Sequence, residues 1–109
     1  MDTSSAIVAL GALSQHTRLA AFRLLVRHEP DGLAAGAIAH ALDVPGNTLS
    51  THLAILQSAG LVRSERHGRI IEYRADIARL GDLMLFLAKD CCAGRAELCR
   101  PLAAELSCG

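Results

Sequence analysis

The spacing of apolar residues in this chain changes at Gly60, and this change constrains the fold more than any other feature of the sequence. Before Gly60, apolar residues recur at three- and four-residue steps, which is the spacing of helices. After it, Leu61–Arg66 and Arg69–Arg74 read as two short alternating strands joined by the two-residue connection His67-Gly68. A helical pattern returns after Asp76, which can cap a last helix. The predicted order is therefore helices, a hairpin and a final helix.

The first part of the chain contains four predicted helical segments, and turn-forming residues mark two of the boundaries between them. Glu29–Gly32 and Asp43–Gly46 each combine proline with glycine, and proline cannot continue a helix whereas glycine accepts a tight turn. The predicted helices are Ser5–Leu13, a segment from about Thr17, Ala34–Leu42 and Asn47–Ala59. Their apolar stripes predict a core that includes Leu19, Phe22, Leu25, Val26, Ile38, Leu42, Leu49, Leu53 and Leu56.

The order of these elements predicts a winged helix-turn-helix, a mostly α fold with a small β-hairpin. At 109 residues the chain has room for one domain. The last helix is apolar on nearly every side, so we expect a second subunit to cover it together with the first helix. The single domain, 1–109, is predicted to contain dimerisation helices at 1–15 and 76–100, a helix-turn-helix at 34–60, a wing at 61–75 and a flexible tail at 101–109.

The segment Asn47–Ala59 has the composition of a helix that reads DNA. Its leucines share one face, and the opposite face carries small or short polar side chains that can approach base edges and phosphates closely. The following hairpin is locally basic, with five arginines against three acidic residues between Gly60 and Arg79, although the net charge of the chain is zero. His52 borders the apolar stripe, which favours a structural or phosphate-contacting role over base reading. The residues predicted to contact DNA are Asn47, Thr48, Ser50, Thr51, His52, Gln57, Arg66 and Arg69.

Three short motifs in this region resemble the arsenic-repressor (ArsR) family of small dimeric metal-responsive repressors. They are Leu49–Leu56 with its Ser-x-His-Leu signature, Ala59–Val62 and Arg66–Arg69, within a similarity that spans roughly residues 9 to 90. The resemblance implies a homodimer that binds an inverted-repeat operator and releases it when an inducer binds. Relatives usually open the recognition helix with serine, whereas this chain has Pro45-Gly46, so its base preferences are expected to differ.

Three cysteines near the C-terminal end, Cys91, Cys92 and Cys99, are the candidate sensor. Trivalent arsenic and antimony are soft ions that bind thiolates, and the cations of Lys89, Arg95 and Arg100 favour the thiolate form. The inducer is left open among arsenite, methylated arsenite, antimonite and another soft metal. Cys108 is an optional additional ligand, and no permanently bound cofactor is expected.

The family resemblance favours this location for the sensor. Many relatives carry an arsenic site on the helix before the recognition helix, but Ala37–Leu42 contains no cysteine. A similar subgroup has adjacent cysteines and a later one at the end of the last helix, as here. Zinc sensors of the family use Asp and His on that helix, and no histidine follows His67.

Helix geometry limits how the three sulfurs can meet. In an unbroken helix Cys92 and Cys99 share a face but lie about 10 Å apart along the axis, whereas thiolates bound to one ion lie within roughly 4 Å of each other. The helix must therefore break or fold back, and Gly94 and Pro101 are the residues that allow it. We expect ligand capture to remodel the end of the dimerisation helix.

Other functions were weighed against this one. A repressor of the same fold that senses oxidants or persulfides could pair Cys92 with Cys99. A thiol oxidoreductase is disfavoured because the sequence lacks a Cys-x-x-Cys spacing and a catalytic His or Asp near the thiols. A plain protein-interaction module is disfavoured by the basic hairpin. The apolar segment Ala6–Leu13 lacks a basic lead-in and is too short to span a membrane, so a reducing cytoplasmic location is expected.

Overall fold

The computed structural model describes residues 1–91 together with Arg100, Pro101 and Glu105. It confirms the mostly helical fold with a small sheet. The predicted cysteines Cys92, Cys99 and Cys108, and most of the predicted tail, lie outside the described residues. The elements are α1 (Thr3–Leu13), α2 (His16–Arg27), β1 (Leu33–Ala34), α3 (Ala35–Leu42), α4 (Gly46–Ser58), β2 (Val62–His67), β3 (Ile70–Ala75) and α5 (Ile77–Cys91).

Side-chain caps explain where three of the five helices begin. Asp2 and Gln15 each accept a hydrogen bond from a backbone N–H in the first turn of α1 and α2. Asp76 does the same for α5, where its Oδ1 accepts from the backbone N–H of Arg79 at 3.0 Å, as the sequence predicts. Helix α4 has no side-chain cap because Pro45 occupies the N-cap position.

The buried apolar side chains form one cluster between the helices and the base of the sheet, and all of them are aliphatic except Phe22. The three leucines of α4 are fully buried, as predicted. One residue of the predicted core is wrong, because Leu19 is 43% exposed. The buried face of α2 is centred on Ala21 and Leu25, and Leu19 projects from its edge. The largest fully buried side chains are Leu25, Ile38, Leu49, Leu53, Leu56 and Leu61.

The sheet has three antiparallel strands in the order β1-β3-β2, one more than the sequence predicts. Strand β1 has two residues, Leu33 and Ala34, and is too short to show an alternating pattern. The hairpin loop is Gly68-Arg69, because His67 pairs with Ile70, and the predicted loop His67-Gly68 is therefore displaced by one residue. Of the two loop residues, only Gly68 has a positive φ, and this is the pattern of a type II′ turn.

Both helices that the sequence assigns to a dimer interface carry exposed apolar side chains. Leu85 of α5 is 70% exposed, the largest value among the exposed large apolar residues of the described chain. Exposed apolar clusters of this kind are typical of binding surfaces. Within the described residues, no helix has the length and apolar character needed to cross a membrane. The exposed apolar residues of α1 and α5 include Ile7, Val8, Leu10, Met84, Leu85 and Leu87.

Candidate nucleic-acid interface

Helix α4 presents a polar face to solvent because its apolar face is fixed in the core. Leu49, Leu53 and Leu56 are buried at four- and three-residue steps, so the opposite side of the helix must point outward. The predicted DNA-contacting residues Asn47, Thr48, Ser50, Thr51 and Gln57 are all exposed. The structure therefore brings them together on one accessible helix.

Hydrogen bonds within α4 already use two of the hydroxyl groups on this face. Ser50 Oγ donates to the carbonyl oxygen of Gly46 at 3.0 Å, and Thr51 Oγ1 donates to that of Asn47 at 3.4 Å. The side-chain oxygen of Asn47 accepts from the backbone N–H of Thr48 at 2.9 Å. These hydroxyls can still accept hydrogen bonds, but their protons are occupied.

Gln57 connects α4 to the hairpin. Its Nε2 donates to Ser64 Oγ at 3.0 Å, and Ser64 lies opposite Tyr73 in the β2–β3 ladder. Ser64 was missed by sequence reasoning, because nothing in the local pattern of β2 shows which of its faces turns toward α4. The bond joins the hairpin to α4.

The side chain of His52 contacts that of Arg18. Its Nδ1 lies 3.3 Å from Nη1 of Arg18, whose Nε donates to the carbonyl oxygen of Ala12 at 2.6 Å. Because arginine can only donate, this contact requires an unprotonated Nδ1. Arg18 thus joins the last turn of α1 to the middle of α4. The structural role predicted for His52 agrees with this contact, whereas Arg18 was not anticipated.

Arg74 does not contribute free positive charge to the hairpin. Its guanidinium donates to both carboxylate oxygens of Glu29, at 2.7 and 3.2 Å, and lies 3.8 Å from Glu65. The hydrogen bond from Arg74 holds the pKa of the Glu29 carboxyl below its ordinary value, and the same bond raises the pKa of Arg74. This pair joins β3 to the end of α2, 45 residues away in sequence. The basic excess counted from the sequence is reduced accordingly.

The unpaired cations of the hairpin are Arg66 and Arg69. Both are exposed, and neither makes an ion pair with any of the described residues. Arg66 lies two residues from Ser64 and so on the same face of β2, the face that contacts α4. Glu65 points to the opposite face, where it lies 3.4 Å from His67. Arg66 is therefore on the side of the sheet that α4 also occupies.

The candidate sensor is described only at its first cysteine. Cys91 is the last residue of α5, and Cys92 and Cys99 lie outside the described residues, as does Gly94. In the part of the chain that the structure describes, no group of three or more His, Cys, Asp or Glu side chains is arranged to hold a metal ion. The predicted ligand set stays a prediction.

Comparisons with known proteins agree with this geometry. A family described as a helix-turn-helix domain matches residues 13–65. An ArsR-like transcriptional regulator from Rhodococcus sp. RHA1 has a similar structure, with a TM-score of 0.73 and 33% sequence identity over 93% of this chain and 89% of its own. No protein with a curated description matches the sequence significantly.

Two further solved structures are similar to the chain. One is the homodimeric winged helix-turn-helix DNA-binding domain of a possible ArsR-family regulator from Mycobacterium bovis, with 30% identity, coverage of 84% of this chain and 86% of that one, and a TM-score of 0.63. The other is a possible transcriptional regulator for arsenical resistance, with 28% identity, coverage of 72% and 79%, and a TM-score of 0.64.

Proposed function

Because the chain belongs to the ArsR family of helix-turn-helix transcriptional regulators, we propose that it is a repressor that binds an inverted-repeat operator as a homodimer and releases it when trivalent arsenic or antimony binds its C-terminal cysteines. DNA binding follows from the family and the fold. The operator symmetry, the dimer and the inducer are the proposed parts.

The observation that carries the proposal is the shared surface of α4 and the hairpin. The exposed polar residues of α4 are joined to the hairpin by the Gln57–Ser64 hydrogen bond, and the hairpin carries two arginines that make no ion pair with the described residues. In this arrangement α4 enters the major groove, and Arg66 and Arg69 contact the phosphate backbone or the minor groove. The phosphate contacts supply affinity, and the α4 contacts supply sequence preference.

The exposed apolar residues of α1 and α5 support a homodimer. A charged or mixed surface is the norm for a small monomer, whereas Leu85 and its neighbours leave apolar area that a second copy can cover. The related Mycobacterium bovis domain is homodimeric. A two-fold dimer reads two half-sites about one helical turn of DNA apart, which gives an inverted repeat.

The location of Cys91 supports an inducer site coupled to the dimer. Cys91 ends α5, and Leu85 lies six residues earlier on the same helix. A ligand that gathers Cys91, Cys92 and Cys99 has to remodel the chain after α5, and this changes the interface that sets the spacing of the two α4 helices. Three thiolates suit inorganic arsenite or antimonite, and two suit a monomethyl arsenical.

Operator release measured against a panel of inducers tests the proposal. DNA that binds the full-length protein is selected from a random-sequence pool, and its fluorescence anisotropy is followed during titration with arsenite, antimonite, methylarsenite and Zn²⁺ under reducing conditions. Release by a trivalent arsenical or antimonial, and its loss in Cys91→Ser, Cys92→Ser and Cys99→Ser variants, is the expected result. Cys108→Ser shows whether this optional ligand takes part in the response.

Other outcomes point to other functions. Release by peroxide or polysulfide, with no response to the metalloids, identifies a redox or persulfide sensor of the same fold. Unchanged release in all three cysteine variants contradicts the assigned ligands. A turnover assay with thiol donors tests the oxidoreductase alternative.

A further inference from the structure

The hydrogen bonds on the outward face of α4 determine which groups this helix can offer to a base pair. A hydroxyl has one proton, and those of Ser50 and Thr51 are donated to backbone carbonyl oxygens of the helix itself. Gln57 donates from its amide to Ser64. Hydrogen-bond donation to base edges from the middle and the end of α4 is therefore reduced, compared with what the sequence alone suggests.

The lack of charged side chains in α4 also limits which bases it can recognise. The helix Gly46–Ser58 contains no arginine, lysine, aspartate or glutamate. In the major groove, arginine and lysine recognise guanine, and aspartate and glutamate accept from cytosine. Helix α4 therefore lacks the usual partners of both bases of a G·C pair. A thymine is recognised differently, through apolar contact with its C5 methyl group.

Thr51 and Ala54 present methyl groups where such a contact is made. Both are exposed, and they lie three residues apart on the side of α4 opposite the buried leucines. The bond from Thr51 Oγ1 to the carbonyl oxygen of Asn47 restrains the side chain to one rotamer, which also restrains its methyl group. Asn47 lies one turn earlier on the same face. Its Oδ1 already accepts from the backbone N–H of Thr48, and its side-chain NH2 group can donate to adenine.

We infer that α4 reads thymine C5 methyl groups through the methyl groups of Thr51 and Ala54, so that the base pairs it contacts are A·T pairs. The inference rests on the proposed function in one respect, that α4 is the helix that enters the major groove. It does not depend on the inducer or on the cysteines.

Replacement of thymidine by deoxyuridine tests the inference with the unaltered protein. Deoxyuridine lacks only the C5 methyl group and keeps every hydrogen-bonding group of thymidine. In the DNA selected from the random pool, each thymidine of the bound site is replaced singly. Thymidines in the DNA that flanks the bound site serve as controls. We expect at least one replacement in each half-site to weaken binding about fourfold, which is the ~0.8 kcal/mol of one buried methylene-sized group at ~1.4 kcal/mol per tenfold.

Two substitutions at one position separate the methyl group from the hydroxyl. Thr51→Ser keeps the hydroxyl and removes the methyl group, and we expect it to weaken binding and to abolish the penalty of one deoxyuridine. Thr51→Val keeps a methyl group and removes the hydroxyl, and we expect it to bind within about twofold of the wild type and to retain that penalty. Circular dichroism at the assay temperature confirms that both variants are folded.

The opposite results overturn the inference. If no single deoxyuridine in the selected site weakens binding by more than about 1.5-fold, α4 does not contact thymine methyl groups. If Thr51→Val loses affinity and Thr51→Ser does not, the hydroxyl is the reading group. A pool that yields no bound DNA at all contradicts the proposed function as well, and this result is distinct from binding that is insensitive to deoxyuridine.

Discussion

Among the described glycines, Gly32 is the one at which an added methyl group makes the closest backbone contact. Its φ is +76°, a region that costs alanine about 1–2 kcal/mol. A Cβ at this position lies 2.7 Å from the carbonyl oxygen of Tyr73, a backbone atom of β3 held in the sheet by pairing with β1. Relief of that contact requires a backbone shift, and overpacking of this kind typically costs about 1–3 kcal/mol.

Gly32→Ala is therefore expected to lower the free energy of unfolding by about 2–5 kcal/mol, a large part of the ~5–15 kcal/mol that a domain has. For a domain of this size the midpoint of thermal unfolding should fall by at least about 10 °C. Urea and thermal unfolding are followed by circular dichroism at one fixed protein concentration, because the stability of a dimer depends on concentration.

Two matched glycine substitutions identify the cause of the loss. Gly68→Ala also places alanine at a positive φ, +65°, but with no atom within 4 Å of the new Cβ, so only the backbone cost of about 1–2 kcal/mol applies. Gly36→Ala adds a methyl group within α3 in open space and should stabilise the protein by about 0.5–1 kcal/mol. If Gly32→Ala is no less stable than Gly68→Ala, β1 can move away from Tyr73 at little cost and the steric reasoning is wrong.

Four further perturbations test other parts of the structure. Arg18→Met removes the contacts to Ala12 and His52 and should reduce stability by about 1–3 kcal/mol, while the exposed Arg23→Met should change it by less than about 0.5 kcal/mol; equal losses contradict the role of Arg18. Arg66→Ala and Arg69→Ala should each lower the slope of log affinity against log salt by about 2, because each of the two copies of a homodimer loses one phosphate contact. Arg27→Ala, on the side of α2 opposite Arg18, should leave that slope unchanged. The pKa of Glu29 is lower in the folded protein than its ordinary value of ~4.3. Its pair with Arg74 therefore stabilises the fold above pH ~4.3, and this stabilisation is lost as the pH falls through the pKa that Glu29 has in the folded protein. In Glu29→Gln the thermal midpoint should therefore fall less steeply below pH ~4.3 than in the wild type, and parallel curves contradict the assignment. Leu85→Lys should weaken dimerisation at least about 100-fold, because each of two copies loses ~1.5 kcal/mol or more of apolar burial. Ile70→Lys in the hairpin, at 57% exposure, is its control in sedimentation velocity.

Local periodicity was sufficient to predict the main elements. The change of spacing at Gly60 gave the order of helices and hairpin, and the bounds of α1, α3 and α4 agree with the predicted ones to within two residues. The predicted continuation of the last helix over 92–100 falls almost wholly outside the described residues. The buried leucines of α4 were also predicted, because a residue's position within a 3.6-residue period depends only on its neighbours in sequence. The exposed face of α4 followed from the same argument.

Errors and omissions occurred where local periodicity carries no information. Strand β1 has two residues, which are too few to show an alternating pattern. It forms because its backbone pairs with β3. The predicted hairpin loop was displaced by one residue, since a loop of His67-Gly68 and a loop of Gly68-Arg69 both fit the sequence. Leu19 fits the stripe of α2 but lies at the edge of the buried face, which is set by the helices that pack against it.

The sequence by itself determined which segments form the helices and the hairpin, which side of α4 is polar, and where the candidate thiols lie in the chain. The tertiary structure decided which polar groups remain available to DNA. Arg74 is neutralised by Glu29, Gln57 is bound to Ser64, and Arg18 is bound to His52. The physical reason is that burial follows from spacing along one element, whereas a hydrogen bond or ion pair requires two elements to be positioned within about 3 Å of each other. Only the assembled fold fixes that distance.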